Sequence, residues 1–276
     1  MHQPHGSADV RFDPLSGLIA ESFGWVPSLR FLLRRNRIVK ILQRIQYNSF
    51  LEIGCGSGSL LVEIFKKYSL HTHGLETSET ARILANKIID STAAKVQIHA
   101  TPADNWNEQY DVICAFEVLE HIEHDLNALS DWYRWVKPGG TMLISVPAHQ
   151  KRWGHGDIWA GHYRRYDLNN LKTLVTDAGL AIEHIECYGF PLANLTEKLG
   201  DNVYKSKIET QLNPADKDTA TAGSGVKRDS YLKLFRWIDN PLGRISLYVA
   251  FVIQRLFYKT RLGSGYNVQA KKPRDC

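Results

Sequence analysis

Several features that mark particular classes of protein are scarce in this chain of 276 residues. Its four cysteines are irregularly spaced: Cys55, Cys114, Cys187 and Cys276. Because none of them forms a C-x-x-C pair, we expect neither a disulfide framework nor a zinc site. We expect the protein to be in a reducing compartment. The first residues are polar and lack the apolar stretch of a secretory signal. The longest apolar stretch, residues 245–258, is interrupted by Gln254 and Arg255 and is shorter than the ~20 residues that span a bilayer.

A large excess of one charge is also absent. The 34 Lys and Arg residues and the 29 Asp and Glu residues give a net charge of +5. The basic residues follow no single long stripe and no nucleic-acid-binding module is visible, so we expect no nucleic-acid partner. With 43% hydrophobic and 23% charged residues, the chain can bury a sizeable core. This composition excludes a disordered, collagen-like or coiled-coil chain as a whole.

Strand and helix patterns alternate between residues 48 and 189. Short runs rich in apolar, β-branched or aromatic residues predict strands at Ser49–Ile53, Val96–His99, 110–115, 141–146 and 180–188. Apolar residues at three- and four-residue spacing predict helices between them, and Asp167 is placed to cap a helix over residues 168–178. This alternation predicts an α/β fold with a mostly parallel sheet and helices on both faces.

The patterns divide the chain into four segments: a helical arm (1–47), a core (48–190), a helical insertion (191–262), and a last core strand with a tail (263–276). In the arm, a helix from Leu29 carries six basic residues with no acidic residue among them. They form either a solvated helix face or a patch for an anionic substrate or surface. In the insertion, residues 212–226 are polar and small and predict a loop, and residues 229–260 predict one or two helices with a break near Pro241.

A glycine-rich turn follows the first core strand directly. Gly54, Gly56 and Gly58 stand between this strand and the next helix. Glycine permits positive φ and lets a ligand approach the backbone, and a helix N-terminus then faces that ligand. The spacing matches neither the dinucleotide fingerprint, since Ser59 stands at the third glycine position, nor a P-loop. Glu76, at the tip of the next strand, is placed to accept hydrogen bonds from ribose hydroxyls, which indicates a nucleoside-type cofactor.

Four motifs in order resemble the class I S-adenosylmethionine-dependent methyltransferases. LEIGCGSG, LETS, YDVICAFEVLEHI and WVKPGGTMLISVP are similar to this family's glycine turn, second acidic motif, fourth-strand motif and turn into the fifth strand. A narrower resemblance, carried by RFLLRRNRIVKIL and VPAHQKRWGHGDIWAGHYRRYD, is to a bacterial subgroup of the methyltransferase type 11/23 kind. The resemblance implies a doubly wound, Rossmann-like sheet of seven strands in the order 3-2-1-4-5-7-6, with the last strand antiparallel and helices on both faces.

The resemblance also implies S-adenosylmethionine as the cofactor and S-adenosylhomocysteine as the product. The cofactor would lie above the carboxyl ends of the first two core strands, against Glu52, Gly54, Cys55, Gly56, Gly58, Glu76, Thr77, Thr101, Asp104 and Glu117. The sequence around Thr101 departs from the family's pattern. The adenine contact therefore stays open between Thr101 and Asp104.

The loop after the fifth strand, residues 148–166, is rich in histidine, arginine and aromatic residues. Methyl transfer needs alignment of the acceptor, and a hydroxyl or amine acceptor also needs a base, for which histidine is suited. The candidate bases are His162 first, then His121 and His149, and the candidate substrate contacts are Trp153, Tyr163, Arg164 and Arg165. The two arginines would bind an anionic group or form structural salt bridges. No cluster with metal-ligand spacing is visible in the sequence, so metal-independent catalysis is expected.

Together these features predict an S-adenosylmethionine-dependent methyltransferase that acts on an oxygen of a small or lipid-like metabolite. Carboxyl or N-methyl transfer to a peptide or acid is one alternative, and a non-catalytic S-adenosylmethionine-binding module is another. Residues 241–262 combine apolar residues with four basic and no acidic ones, typical of a lid, a homodimer face or an interfacial membrane helix. We expect a cytoplasmic protein, peripheral at the inner membrane face if this segment contacts lipid.

Overall fold

The computed structural model describes residues 10–68, 70–210 and 229–274. The loop expected at 212–226 lies outside these residues. The described strands are β1 (Arg11–Asp13), β2 (Gly17–Ile19), β3 (Ser49–Ile53), β4 (His71–Leu75), β5 (Val96–His99), β6 (Tyr110–Phe116), β7 (Val136–Pro147), β8 (Ala181–Tyr188) and β9 (Gly265–Lys271). The first two form a separate antiparallel hairpin, and the other seven form one sheet.

The sheet order is β5-β4-β3-β6-β7-β9-β8. β9 runs antiparallel to β7 and β8, and the remaining pairs are parallel. Counted within the sheet, this is the predicted order 3-2-1-4-5-7-6 with an antiparallel last strand. The expected seven-stranded, Rossmann-like sheet is therefore confirmed.

The described helices cover both faces of this sheet. They are α1 (Leu29–Leu42), α2 (Ser59–Tyr68), α3 (Glu79–Thr92), α4 (Asp125–Trp135), α5 (His155–Ala160), α6 (Leu168–Asp177), α7 (Leu192–Thr210), α8 (Asp229–Ile238) and α9 (Pro241–Phe257). Within the described ranges, none of them has the length and apolar content that crossing a bilayer requires. Between α8 and α9 the Asn240 side chain accepts from the Gly243 N–H at 2.9 Å, and Pro241 occupies the first turn of α9. The break expected near Pro241 is thus a helix cap.

Strand β6 shows why the central strands read as continuous apolar runs. All of its residues except Asp111 are buried, because helices cover both faces. Ile113 and Ala115 point to the core beneath α4 and α6, whereas Val112 and Cys114 point to the core beneath α1 and α2. The alternation of one strand therefore supplies two cores and fixes the carboxyl end of β6 between them.

Two expectations about charged residues need correction. Arg35 and Arg37 of α1 do not lie on a solvated face, because both are buried and form ion pairs with Glu63 and Glu186. Asp167 stands at the N-cap position of α6 but makes no cap hydrogen bond. Its carboxylate instead accepts from the backbone N–H of Gln150 at 3.2 Å, which ties the start of α6 to the loop after β7.

Candidate active site

A cavity of about 1090 Å³ opens at the carboxyl ends of β3 and β6. The glycine turn, the segment after β6 and the loop after β7 form its walls, together with residues of α1 and of the inserted helices α7 and α8. In open α/β sheets, ligands bind outside the carboxyl ends of the strands where the strand order reverses. The cavity lies at this position, between the first and fourth strands of the core.

Two glycines of the turn have different surroundings. Gly54 and Gly56 have φ of +64° and +54°, a conformation that other residues adopt at a cost. A Cβ on Gly54 would lie 2.4 Å from a methyl group of Val118, whereas a Cβ on Gly56 would meet nothing within 4 Å. Gly54 therefore serves the packing of the fold, and Gly56 leaves open space on the cavity wall.

Of the ten expected cofactor residues, five line the cavity: Glu52, Gly54, Cys55, Gly56 and Glu117. The other five do not: Gly58, Glu76, Thr77, Thr101 and Asp104. Thr101 and Asp104 are exposed beyond the end of β5, two strands away from β3. The structure thus gives neither of them a place in the cavity wall.

Glu76 binds the backbone of the glycine turn through its carboxylate. Its two carboxylate oxygens accept from the backbone N–H groups of Gly56, at 2.9 Å, and Ser78, at 2.8 Å. A carboxylate has about four lone-pair sites, so two such bonds leave capacity for further donors. Glu76 therefore fixes the glycine turn to the tip of β4, a role that its position in the sequence did not reveal.

Glu52 is a buried carboxyl group on the cavity wall. Within the described residues its Oε2 has no hydrogen-bond partner. Burial raises the pKa of Glu52 to about 8; nearby Arg34 opposes this effect and Glu76 adds to it. A buried carboxyl that lacks a donor fits the ammonium group of a methionine moiety, and the open space at Gly56 fits a close ligand. These residues therefore suit S-adenosylmethionine.

Glu117, five residues before the end of the fourth-strand motif, is held by the N-terminal arm. Arg30 lies 2.8 Å and Arg34 3.6 Å from its carboxylate oxygens, and the Tyr188 hydroxyl donates to it at 2.7 Å. Although burial opposes the change, these arginines lower the pKa of Glu117 to about 2. The sequence offered one signal for this contact, the run of basic residues on α1, and part of that run is now placed in the cavity.

The loop after β7, residues 148–166, contains a histidine–carboxylate pair. His162 Nδ1 lies 2.8 Å from Asp157 Oδ1, and the Asp157 carboxylate also accepts from Arg165 Nε at 2.8 Å. Although burial opposes the change, these donors lower the pKa of Asp157 to about 2. This contact occupies Nδ1 and leaves the other ring nitrogen, Nε2, which lies 4.0 Å from Glu120 Oε1. Sequence reasoning selected His162 but missed Asp157, although an acid five residues earlier in the same loop was a usable signal.

Glu120 and His121 lie beside this pair. Both Glu120 oxygens are buried without a hydrogen-bond partner in the described part of the chain, and burial with nearby Glu117 raises the pKa of Glu120 well above its usual range. Burial and His162 lower the pKa of His121 to about 3, so its ring is neutral. One ligand atom each of Glu120, His121 and His162 lie within 4.8 Å of one another, a set that could hold a metal ion. Linear spacing did not reveal this set, because His162 comes from a different loop.

Four of the seven expected acceptor-side residues line the cavity: His121, Trp153, His162 and Arg165. His149, Tyr163 and Arg164 do not. The His149 ring lies against Tyr266, 5.6 Å between centroids, and Arg164 forms a 2.7 Å ion pair with Asp125. For Arg164 the structural salt bridge left open by the sequence is therefore what the structure contains.

Comparison with known proteins gives a family match. The family described as methyltransferase domain matches residues 29–185. A ubiquinone biosynthesis O-methyltransferase of Hydrogenovibrio crunogenus is 29% identical over 116 residues, 41% of this chain and 48% of that protein. A phosphoethanolamine N-methyltransferase of Plasmodium falciparum is 26% identical over 148 residues, 50% of this chain and 53% of that protein. The chain thus spans about half the length of these relatives.

Solved structures show the same fold at low identity. Phosphoethanolamine N-methyltransferase 2 of Haemonchus contortus, in complex with S-adenosyl-L-methionine, has a TM-score of 0.54 at 16% identity, covering 87% of this chain and 53% of that chain. The [4+2]-cyclase SpnF has a TM-score of 0.56 at 16% identity, covering 91% of this chain and 84% of that chain. The fold is therefore shared by proteins named for different reactions.

Proposed function

The chain belongs to the methyltransferase domain family of class I S-adenosylmethionine-dependent methyltransferases, and from this premise we propose that it methylates a hydroxyl oxygen of a small or lipid-like metabolite, with His162 as the general base. One observation supports the choice of an acceptor that must lose a proton. His162 lines the cavity while its Nδ1 is held at 2.8 Å by the buried Asp157 carboxylate. The relatives' names include an O- and an N-methyltransferase, so the oxygen is inferred from this pair.

The cofactor would be held by groups around the glycine turn. Bound S-adenosylmethionine supplies a methyl group that is already activated on a sulfonium sulfur. Glu52 would accept the ammonium group through its unpartnered Oε2. Gly56 would allow the ligand to approach the backbone, since nothing lies within 4 Å of its Cβ position. Glu76 would accept from the ribose through its remaining lone pairs while it holds the turn.

His162 would take the proton of the acceptor hydroxyl at Nε2 as the methyl group is transferred. Asp157 would keep the Nδ1–H donor in place and stabilise the imidazolium that forms. Arg165 holds Asp157 from the other side and forms an ion pair with Glu197 of α7. These ion pairs would fix the base and connect the loop to α7.

A metal-assisted form of the same reaction is favoured by a different observation, the proximity of Glu120, His121 and His162. A divalent cation there would bind the acceptor oxygen and lower its pKa. Chelation by EDTA separates the two forms. Transfer that survives EDTA supports His162 as a base. Transfer that stops, and returns with added Mg²⁺ or Mn²⁺, supports the cation.

The test uses radiolabelled S-adenosylmethionine and an extract of the host cell as the source of acceptor, followed by partition between organic solvent and water. His162→Ala should reduce label transfer by about 10²–10⁴-fold, and Asp157→Asn should reduce it in the same direction. Cofactor affinity, measured separately by calorimetry, should stay unchanged. His124→Ala is a matched control, because His124 is exposed and does not line the cavity. Full transfer by His162→Ala would remove this residue as the base.

The phase that receives the label addresses the acceptor class. Label in the organic phase would support a lipid-like acceptor, and label in water would support a polar metabolite or a peptide. Label could also be absent from both phases while cofactor binding is intact and extracts from several growth conditions have been tried. This result would contradict the proposal that the protein is an enzyme and would favour a non-catalytic S-adenosylmethionine-binding module.

A further inference from the structure

Helix α9 presents apolar side chains on the face turned away from the protein. Its buried residues are Leu247, Phe251 and Gln254. The residues at three- and four-residue intervals on the opposite side are exposed: Leu242, Ile245, Val249, Val252, Ile253 and Leu256. Leu242 is 77% and Leu256 74% exposed. A helix that packs on one face ordinarily carries polar residues on the other, so this outer face indicates an environment other than water.

The preceding helix extends this apolar surface. Trp237, near the end of α8, is 75% exposed, and Leu234, one turn earlier, is 48% exposed. Contiguous apolar surface of this kind marks interaction sites, and tryptophan is enriched where apolar and aqueous phases meet. We call Trp237 and the six outer residues of α9 the apolar ridge.

Basic residues accompany the ridge. Between residues 241 and 262 the sequence has four basic residues and no acidic one. Arg244 forms ion pairs with Asp13 and Asp239. Arg255 is exposed and has no ion-pair partner among the described residues. The segment thus combines an apolar face with uncompensated positive charge.

A second cavity, of about 570 Å³, lies where Arg255 meets α1 and β8. Lys40 of α1 and Arg44, two residues after the end of this helix, line it together with Arg255. Burial and the neighbouring Arg37 and Arg255 lower the pKa of Lys40, and nearby Glu186 opposes this effect. A cavity with crowded cations suits an anion, because a bound anion relieves their mutual repulsion.

The acids of this second cavity are already paired. Glu186 accepts from Arg37 at 2.7 and 2.9 Å and lies 3.4 Å from His184, and Glu183 lies 2.7 Å from Lys271. Neither acid forms an ion pair with Lys40, Arg44 or Arg255 within the described part of the chain. The three cations are therefore available to a ligand.

We propose that the apolar ridge and the cations beside it dock on the surface of an anionic lipid bilayer, with Lys40, Arg44 and Arg255 binding a headgroup phosphate. The ridge enters the boundary between headgroups and acyl chains, as amphipathic helices with basic flanks do. Charge decides between this occupant and a second copy of the chain. A symmetric dimer through the ridge would bring identical cations towards each other, whereas an anionic surface is complementary to them.

The docking surface borders the large cavity, because Leu234, one turn before Trp237 of the ridge on α8, lines that cavity. Docking would bring the cavity wall formed by α8 next to the lipid. The consequence for a lipid-like acceptor rests on the proposed function. The docking itself does not, because it can be measured without turnover.

The test is co-sedimentation of the full chain with vesicles of phosphatidylcholine alone or mixed with phosphatidylglycerol. The wild type should bind the anionic vesicles, bind phosphatidylcholine weakly, and dissociate as salt is raised. Val249→Asp should abolish binding, since it places a charge in the middle of the ridge. Arg44→Gln and Arg255→Gln should each weaken binding about fivefold. Ile83→Asp is the matched control: Ile83 is 51% exposed on α3, outside the ridge, and this variant should bind as the wild type does.

Several outcomes would overturn the proposal. One is a wild type that ignores anionic vesicles, and another is a Val249→Asp variant that still binds them. A third is a wild type that light scattering shows to be a dimer, with Val249→Asp monomeric, which would assign the ridge to a second copy of the chain. Cofactor affinity of all variants should stay unchanged, so a failure of docking is distinguishable from a failure of the methyltransferase assignment.

Discussion

The glycine turn and the loop after β7 line the same cavity, but different forces hold them in place. The turn is held by backbone geometry and by one nearby acid, Glu76, whose contacts lie within about one strand–helix unit. The loop is held by ion pairs, one of which reaches a distant part of the chain, from Arg165 to Glu197 of α7. One site thus combines two parts that are positioned in different ways. We call the glycine turn the backbone-made half of the site and the loop after β7 its charge-made half.

The largest effect should come from breaking the backbone-made half. Gly56→Leu places a side chain in the open space beside the turn, and binding of S-adenosylmethionine should fall below detection in calorimetry. The positive φ of Gly56 adds about 1–2 kcal/mol of strain, too little to unfold a typical domain. Gly24→Leu is the control, because Gly24 has φ of +74° with no atom within 4 Å of its Cβ position and does not line the cavity. Cofactor binding by Gly56→Leu equal to that of Gly24→Leu would remove the turn as the cofactor site.

The contrast between the two halves also explains what the sequence could predict. The position of the glycine turn followed from local patterns, whereas the strand order and the antiparallel last strand were implied by the family resemblance. The structure confirms the sheet. Arg30 was missed as a site residue, because its partner Glu117 lies on another element and only folding brings the two charges together. Asp157 was missed although its partner His162 stands five residues later in the same loop. Thr101 and Asp104 were expected at the adenine but lie in the exposed segment after β5. A motif fixes residues that act through the backbone better than residues that act through a side-chain partner.

An intermediate effect should come from Glu52, where the backbone-made half includes a buried carboxyl. Glu52→Gln should weaken S-adenosylmethionine binding about tenfold, the loss of about one charge-assisted hydrogen bond. The same change should stabilise the cofactor-free protein at high pH. Burial raises the pKa of Glu52 from 4.5 to about 8. The contribution of this group to the free energy of unfolding is therefore fully present below about pH 4.5, and it is lost as the pH rises through about 8.

The measurement is thermal unfolding of both proteins without cofactor. Glu52→Gln should unfold at a higher temperature than the wild type at about pH 8.5, and the difference should narrow towards about pH 5. Glu21→Gln is a suitable control, since Glu21 is exposed and does not line the cavity. A difference that is independent of pH would show that Glu52 is ionised in the folded protein throughout this range.

The smallest effect should come from Arg164, which stands next to Arg165 in the charge-made half. Arg164 pairs with Asp125 at the surface, its side chain 30% exposed, and does not line the cavity. Arg164→Ala should therefore cost about 0.2–1 kcal/mol of unfolding free energy and leave methyl transfer unchanged.

Arg165→Ala is the matched comparison. It removes the donor to buried Asp157 and the ion pair with Glu197, so it should cost about 3–5 kcal/mol and release the carboxylate that holds His162. Urea unfolding and label transfer, measured on both variants, test the difference. Equal losses of methyl transfer in the two variants would mean that the loop acts through its surface charge. The series of contacts from Glu197 through Arg165 and Asp157 to His162 would then not be what positions the base.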